Sequence, residues 1–205
     1  MNSKGILFVV SGFAGTGKST ITKGLASKYD SYVLSVSATT RTIREGEVDG
    51  KDYFFLSREE FERRIKEDLF LEHAEYVGNY YGTPKDWVEE KLSENKDVIL
   101  EIEMQGAIQI KEKNPECVLI FLLPPSFEEL KRRLVDRGTD AADVIEKRLN
   151  RAKEEIDFID KYDYVVINED IEKSIDMVHN IVQSEKSLVS RNLEDIINYK
   201  KDFIK

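Results

Sequence analysis

Five short apolar runs, Ile6 to Val10, Val33 to Val36, Val98 to Ile102, Val118 to Leu123 and Tyr164 to Ile167, alternate along the chain with longer amphipathic stretches. Runs this short, bounded by turn residues, predict strands covered on both faces, so the pattern as a whole predicts an α/β fold with a parallel sheet wrapped by helices. Between the second and third runs the texture changes. Residues 39 to 81 are dense in charge and aromatics, with turn signals at Gly46 and at Asp49-Gly50, which predicts an inserted lobe of short strands and a helix. Ser57 with Glu60 and Ser126 with Glu129 have the spacing of capping boxes, and Thr83 before Pro84 reads as an N-cap followed by proline at the first helical position. From Ser126 to Lys161 the sequence is charged and helical with a break at Gly138, which predicts a helical hairpin projecting from the sheet. The tail, Ile171 to Lys205, reads as helix, with apolar residues at Ile196, Ile197 and Phe203.

Composition narrows the function classes. The chain has 205 residues, with 31 Lys plus Arg against 40 Asp plus Glu, a net charge of −9. That length suits one domain able to bury a full core without disulfides or a structural metal. The acidic balance argues against a broad nucleic-acid-binding surface, while leaving room for a local basic cleft that takes a small anion. The single cysteine, Cys117, begins an apolar strand and reads as buried filler, and two histidines, His73 and His179, leave little material for a His-rich metal site. The N-terminal apolar run is too short for a secretory signal, and no stretch approaches the length of a membrane span, so a soluble, cytoplasmic protein is expected.

The strongest local signal is GFAGTGKS at Gly12 to Ser19, which fits G-x-x-x-x-G-K-[ST]. It lies between the first apolar strand and the helical run Ile21 to Tyr29, the strand-loop-helix context that a phosphate loop requires. Its glycines let consecutive N–H groups turn inward toward phosphate oxygens, and the helix start adds the positive end of its dipole. Lys18 is placed for the β- and γ-phosphates and the Ser19 hydroxyl for magnesium. Further on, SVSATTRTIREGE at Ser35 to Glu47 sets two arginines three residues apart beside hydroxyls. Guanidinium forks take two phosphate oxygens each, so the segment suits a second anion, and a solvated charged turn is its other reading.

Together with SGFAGTGKST and SVSATTRTIREGEVDGKDYFF, the segments FLEHAEYVGNYYGTP, VILEIEMQGA, IFLLPPSFEELKRRLVDRGTD and YDYVVINED give a chain that resembles the guanylate kinase family from residue 11 to 170. The resemblance implies a P-loop α/β kinase in three parts. These are a core of residues 1–36, 84–125 and 161–205, a nucleoside-monophosphate lobe at 37–83, and a helical lid at 126–160. It implies transfer of the γ-phosphoryl of ATP to GMP or dGMP, with Mg²⁺ as cofactor. ATP is then expected at Gly12, Phe13, Ala14, Gly15, Thr16, Gly17, Lys18, Ser19 and Thr20. Ser37, Arg41, Arg44 and Tyr53 match positions that hold the GMP phosphate, and Glu72, Thr83 and Glu103 match those that read guanine. The chemistry agrees, because guanine offers N1–H and its amino group to carboxylates and O6 to a hydroxyl, a pattern adenine reverses.

Glu101 and Glu103 lie two apart at the end of an apolar strand, so both carboxylates leave the face opposite Leu100 and Ile102, toward the nucleotide cleft. Glu101 is the candidate acidic partner of the magnesium shell, beside Ser19, and counts with Glu103 among the GMP-side residues. The family commonly carries aspartate at the position of Glu103, and proline between the two arginines where Ile43 stands here. Phe13 and Ala14 stand where proline and serine often follow the first loop glycine. Arg133, Arg137 and Arg148 match lid arginines that neutralise the transferring phosphoryl, joining Lys18, Arg41 and Arg44 as the catalytic set. Asn168 either faces the adenine side, by analogy, or caps the next helix. Tyr80 and Tyr81 either line the base pocket or form the core of the lobe, Trp87 reads as core, and His73 as a packing or surface residue. Two rival readings are weaker. A non-catalytic interaction domain would lack Lys18 and Ser19, and a GTP-hydrolysing switch would need N-K-x-D where Asn95-Lys96-Asp97-Val98 has valine.

Overall fold

The computed structural model describes residues 5–203 except 77, 137, 139 and 140, with residue 202 described in its backbone alone. Five strands form a wholly parallel sheet: β1 (Leu7–Gly12), β2 (Tyr32–Leu34), β7 (Asp97–Glu101), β8 (Val118–Leu123) and β9 (Tyr164–Ile167), in the order β2-β7-β1-β8-β9. Each predicted apolar run became one of them, the last two with their expected bounds and the first three with ends shifted by a residue or two. The strands alternate between two cores. Phe8, Val10, Ile99 and Ile120 pack with Ile21 and Leu25 of α1 (Lys18–Lys28) and Val178 and Val182 of α7 (Ile171–Lys186). Leu7, Val9, Leu100 and Leu119 pack on the other face with Val88 of α3 (Lys85–Ser93) and Ile110 of α4 (Met104–Lys113).

A second, mixed sheet is inserted between β2 and β7 in sequence. It joins β3 (Ala38–Thr39), β4 (Phe54–Phe55), β5 (Phe70–Tyr76) and β6 (Asn79–Pro84) in the order β4-β3-β6-β5, with α2 (Arg58–Lys66) beside it. Its small core is a stack of rings, Phe61 on Phe70 at 4.3 Å and on Tyr80 at 5.3 Å.

Both capping boxes are present at their N-cap bonds: Ser57 Oγ accepts from the Glu60 N–H and Ser126 Oγ from the Glu129 N–H, each at 3.1 Å. Three expectations are corrected. Thr83 is no cap, because it lies within β6 and its hydroxyl turns to Glu72, leaving Pro84, the last residue of that strand, as the N-cap residue of α3. The hairpin of α5 (Phe127–Asp136) and α6 (Ala142–Glu155) does not stand away from the sheet. Leu130, Leu134, Leu149 and Ala152 are buried against Phe13, Met104 and Phe121. The tail is not one helix, since α7 stops and a 3₁₀ turn, Val189–Asn192, precedes α8 (Leu193–Phe203). The stop is chemical: Asn192 Nδ2 donates to the carbonyls of Lys186 and Leu188 at 2.7 and 2.8 Å, satisfying acceptors that a helix end leaves open. No described helix is long and apolar enough to cross a membrane. Cys117 is buried, which pushes its thiol up to about 12, so it stays protonated as core filler.

Candidate active site

The phosphate loop leaves β1 at its carboxyl end and enters α1 through Gly17, whose φ of 91° is open to glycine at little cost. A Cβ there would also meet Asn168 Nδ2 at 2.7 Å. The side chains of the loop divide by role. Phe13 is 5% exposed and packs edge-on against Phe121, and Thr16 is fully buried with its hydroxyl on the Phe13 carbonyl at 2.9 Å. These two anchor the loop inward, so only their backbones remain for a ligand. Lys18 Nζ donates to the carbonyls of Gly12 at 2.6 Å and Phe13 at 3.3 Å, curling back over the loop. Ser19 and Thr20 are exposed at the first turn of α1.

Glu101, the last residue of β7, accepts from the hydroxyls of Ser19 and, at 2.8 Å, Thr22. A serine hydroxyl and a carboxylate side by side at the phosphate loop are the hard oxygen donors that suit Mg²⁺, which keeps most of its shell for phosphate and water. Glu103 leaves the same side. Its carboxylate is 61% exposed and lies 4.0 Å from Lys18 Nζ and 3.5 Å from Arg151 Nη2 of α6. At that exposure each contact is worth about 0–1 kcal/mol.

Glu72 of β5 is buried, and its Oε1 accepts from Thr83 Oγ1 at 2.7 Å. Burial raises its carboxyl above the usual carboxylate range, and the bond from Thr83 partly offsets this. Its other oxygen lies against α4, where a Cβ on Gly106 would come within 2.9 Å of Glu72 Oε2. Glu103 is the extended N-cap residue of α4, three positions before Gly106. The Glu103 contacts themselves run to Lys18 and Arg151.

The lobe holds the second cationic site. Arg41 lies over the rings of Tyr53 and Phe55, 5.4 and 5.7 Å from their centroids, and pairs with Glu47 at 2.7 Å. Tyr81 meets Tyr53 edge-on at 6.2 Å, whereas Tyr80 stacks on Phe61 beneath Arg58. Neighbours on a strand face opposite ways, so Tyr81 lies on the side of Tyr53 and Arg41, and Tyr80 in the core of the lobe. Arg44 is exposed, with its N–H on Glu47, and Ser37 lends its carbonyl to the Phe54 N–H.

The family model described as "Guanylate kinase" matches residues 4–185. This chain belongs to the guanylate kinase family. A guanylate kinase of Bacillus cereus is 57% identical over 183 residues, 89% of each chain, and one of Clostridium perfringens is 50% identical over 201 residues, 98% of this chain and 93% of its own. The crystal structure of guanylate kinase from Anaplasma phagocytophilum superposes with a TM-score of 0.73 at 38% identity, covering 95% of this chain and 94% of its own. The fold is therefore that of a P-loop guanylate kinase.

Of the lid residues expected from the family pattern, Arg133 is tied down: Nε donates to Glu129 Oε1 at 2.7 Å and Nη2 to the Asn168 carbonyl at 2.8 Å. Arg148 is half-buried on α6, and Arg137 lies outside the described residues. Asn168 is not the cap of the next helix. Its side chain is 3% exposed, with Nδ2 donating to the Thr16 carbonyl at 2.8 Å and Oδ1 accepting from Ser174 Oγ at 3.1 Å. The helix after it is capped instead by Asp170, whose carboxylate accepts from the Lys173 N–H at 2.9 Å. Sequence reading missed Arg151 and Glu47. Arg151 could have been found from its place three residues after Arg148, on the same face of α6.

Proposed function

We propose that this chain moves the γ-phosphoryl group of ATP to GMP, giving ADP and GDP, with Mg²⁺ bound alongside ATP and dGMP as an alternative acceptor. The observation that carries the reading is the first turn of α4, which meets Lys18 through Glu103 and the buried Glu72 through Gly106. One short element thus joins a triphosphate loop to a pocket whose carboxylate and hydroxyl, Glu72 and Thr83, match the donors and acceptor of guanine. The proposed division is a core of residues 1–36, 84–125 and 161–205, an acceptor lobe at 37–83 and a lid at 126–160. The proposed setting is the cytoplasm, where both substrates circulate.

An oxygen of the GMP phosphate attacks the γ-phosphorus, the bond to the β–γ bridging oxygen breaks, and its electron pair stays with ADP. The attacking oxygen is ionised at neutral pH, so no strong general base is needed. The obstacle is repulsion between two anions, and the chain's part is to bring them into line and supply counter-charge. Loop N–H groups and Lys18 hold the donor phosphates. Arg41 and Arg44, with Ser37, Tyr53 and Tyr81, hold the acceptor phosphate, while Glu72 and Thr83, joined by Glu103, orient guanine. Bound Mg²⁺ would rest on Ser19, with Glu101 behind it, and would supply positive charge at the β- and γ-oxygens. Arg133, Arg137 and Arg148 approach from the lid, and Asn168 supports the loop beneath ATP. GMP and dGMP share both gripped parts, phosphate and base.

A coupled assay of ADP release, with GMP, AMP, UMP and dTMP offered in turn, tests the assignment. Turnover with GMP and little with the others is expected. Equal rates with AMP would overturn the role given to Glu72 and Thr83.

A further inference from the structure

Glu47 closes the loop that begins at Arg41, and its carboxylate grips that loop twice. Oε1 accepts from Arg41 Nη2 at 2.7 Å, while Oε2 accepts from Arg41 Nη1 at 3.1 Å and from the Arg44 N–H at 2.8 Å. Arg41 Nη1 also donates to the Thr42 carbonyl at 2.8 Å. This is no loose surface pair: the two side chains are 14% and 21% exposed, and the guanidinium is covered by the Tyr53 and Phe55 rings.

A guanidinium carries five N–H groups in a planar fork. The bonds above use both protons of Nη1 and one of Nη2. What remains is the Nε–H and the second Nη2 proton, which lie along one edge and point the same way; Tyr81, assigned above to the same phosphate, also stands close enough to interact with the guanidinium. Such a parallel pair is what a phosphate takes bidentately. We propose that Glu47 is a positioning residue for the acceptor phosphate, locking Arg41 by one edge so that its other edge is held ready for GMP.

The inference rests on the reading of Arg41 as a ligand of the GMP phosphate. Glu47 has a cost, since its negative charge weakens the net field that the incoming phosphate meets. Against this, a long and otherwise flexible arginine is ordered before the ligand arrives, so its rotamer entropy is not lost on binding. The same carboxylate fixes the Arg44 backbone, which sets where the second arginine departs. The pairing holds the Glu47 carboxyl below the usual range, chiefly through its bond from Arg41, so both partners stay charged at neutral pH. A competing view makes Glu47 a stand-in for phosphate that substrate must displace. The two views differ in sign, because removing a competitor tightens GMP binding and removing a support weakens it.

Glu47→Gln keeps the side-chain length, removes the charge and turns one acceptor into a donor facing Arg41. A rise of about 10- to 100-fold in KM for GMP is expected, from loss of charge-assisted hydrogen bonding, with a much smaller fall in kcat. Affinity for guanosine, which lacks the phosphate, should stay within about twofold of the parent by calorimetry, on the scale of a change far below one hydrogen bond. Added to Arg41→Ala, the same change should do much less than it does in the parent, since only its bond from the Arg44 N–H is then left to Glu47. Should Glu47→Gln fail to fold, Glu47→Asp carries the same comparison, with the charge kept, the reach shortened and an intermediate rise expected. An unchanged or lowered KM for GMP overturns the proposal, as do equal losses for guanosine and GMP or additive losses in the double variant. A normal KM for GMP in Arg41→Ala alone overturns the acceptor-site reading and this proposal with it, whereas failure at Glu47 alone leaves that reading standing.

Discussion

Asn168→Ala removes a strut that links the end of β9 to the phosphate loop. In the parent, the Asn168 amide donates to the Thr16 carbonyl at 2.8 Å and accepts from the Ser174 hydroxyl at 3.1 Å. Thr16 and Ser174 are 0% and 2% exposed, so alanine leaves a buried carbonyl and a buried hydroxyl without partners. Each orphaned group costs about 1–3 kcal/mol, and partial relaxation of the site suggests a total of about 2–4 kcal/mol. For a chain of this length that is a fall in Tm of roughly 5–15 °C. The loss should also be directional. Thr16 lies in the loop proposed to hold ATP, so KM for ATP should rise about tenfold, as for one hydrogen bond, while KM for GMP stays within about twofold. Asn168→Asp sharpens the test, since it keeps the acceptor for Ser174 and replaces only the donor that faces the Thr16 carbonyl. It should harm ATP binding at least as much as alanine does. Thermal melts with steady-state kinetics in each substrate give both quantities. A Tm within about 2 °C of the parent, which is under 1 kcal/mol, together with an unchanged KM for ATP would refute the strut.

Three further outcomes follow from the site. Lys18→Ala should lower kcat by about 100-fold or more while leaving the melting temperature and GMP affinity near the parent values, as measured by kinetics and calorimetry, if Lys18 serves the donor phosphates as proposed. Glu72 carries a raised carboxyl in the folded protein, so its ionisation destabilises the free protein as pH rises from the ordinary carboxylate range through that higher value. Glu72→Gln should therefore melt higher than the parent at neutral pH and nearly match it in acid. It should also lose the rise in KM for GMP that the parent shows as acid neutralises the carboxylate. Glu103→Gln should change stability by less than about 1 kcal/mol, given its exposed ion pairs. If Glu103 reads the guanine amino group, the variant narrows the preference for GMP over inosine monophosphate, and an unchanged ratio shows that it does not.

The sheet was legible because each strand is a local apolar run, and the phosphate loop because its glycines, lysine and serine are consecutive. The caps at Ser57 and Ser126 were legible for the same reason: donor and acceptor lie three residues apart. What misled were residues whose partners come from elsewhere in the chain. Thr83 before proline has the local form of a cap, yet its hydroxyl is claimed by Glu72, eleven residues earlier on the paired strand. Asn168 reaches Thr16 across 152 positions, a contact created only by the sheet order and by the crossover from β8 to β9 through α5 and α6. The α5–α6 hairpin looked free because its charges are conspicuous, while the few leucines that seat it on Phe13 are widely spaced. Glu47 was passed over since a carboxylate seems out of place in an anion site. Its purpose is visible only once both edges of the Arg41 fork are counted.

Transfer to GMP, as opposed to hydrolysis of a nucleoside triphosphate, is tested most directly by following the label from [γ-³²P]ATP mixed with GMP and Mg²⁺. The expected result is label in GDP, one equivalent for each ADP formed, with both products absent when GMP is omitted or the metal is chelated. Label released as inorganic phosphate at a rate indifferent to GMP would contradict the account, because the lobe of Arg41, Glu72 and Thr83 would then play no part in the chemistry.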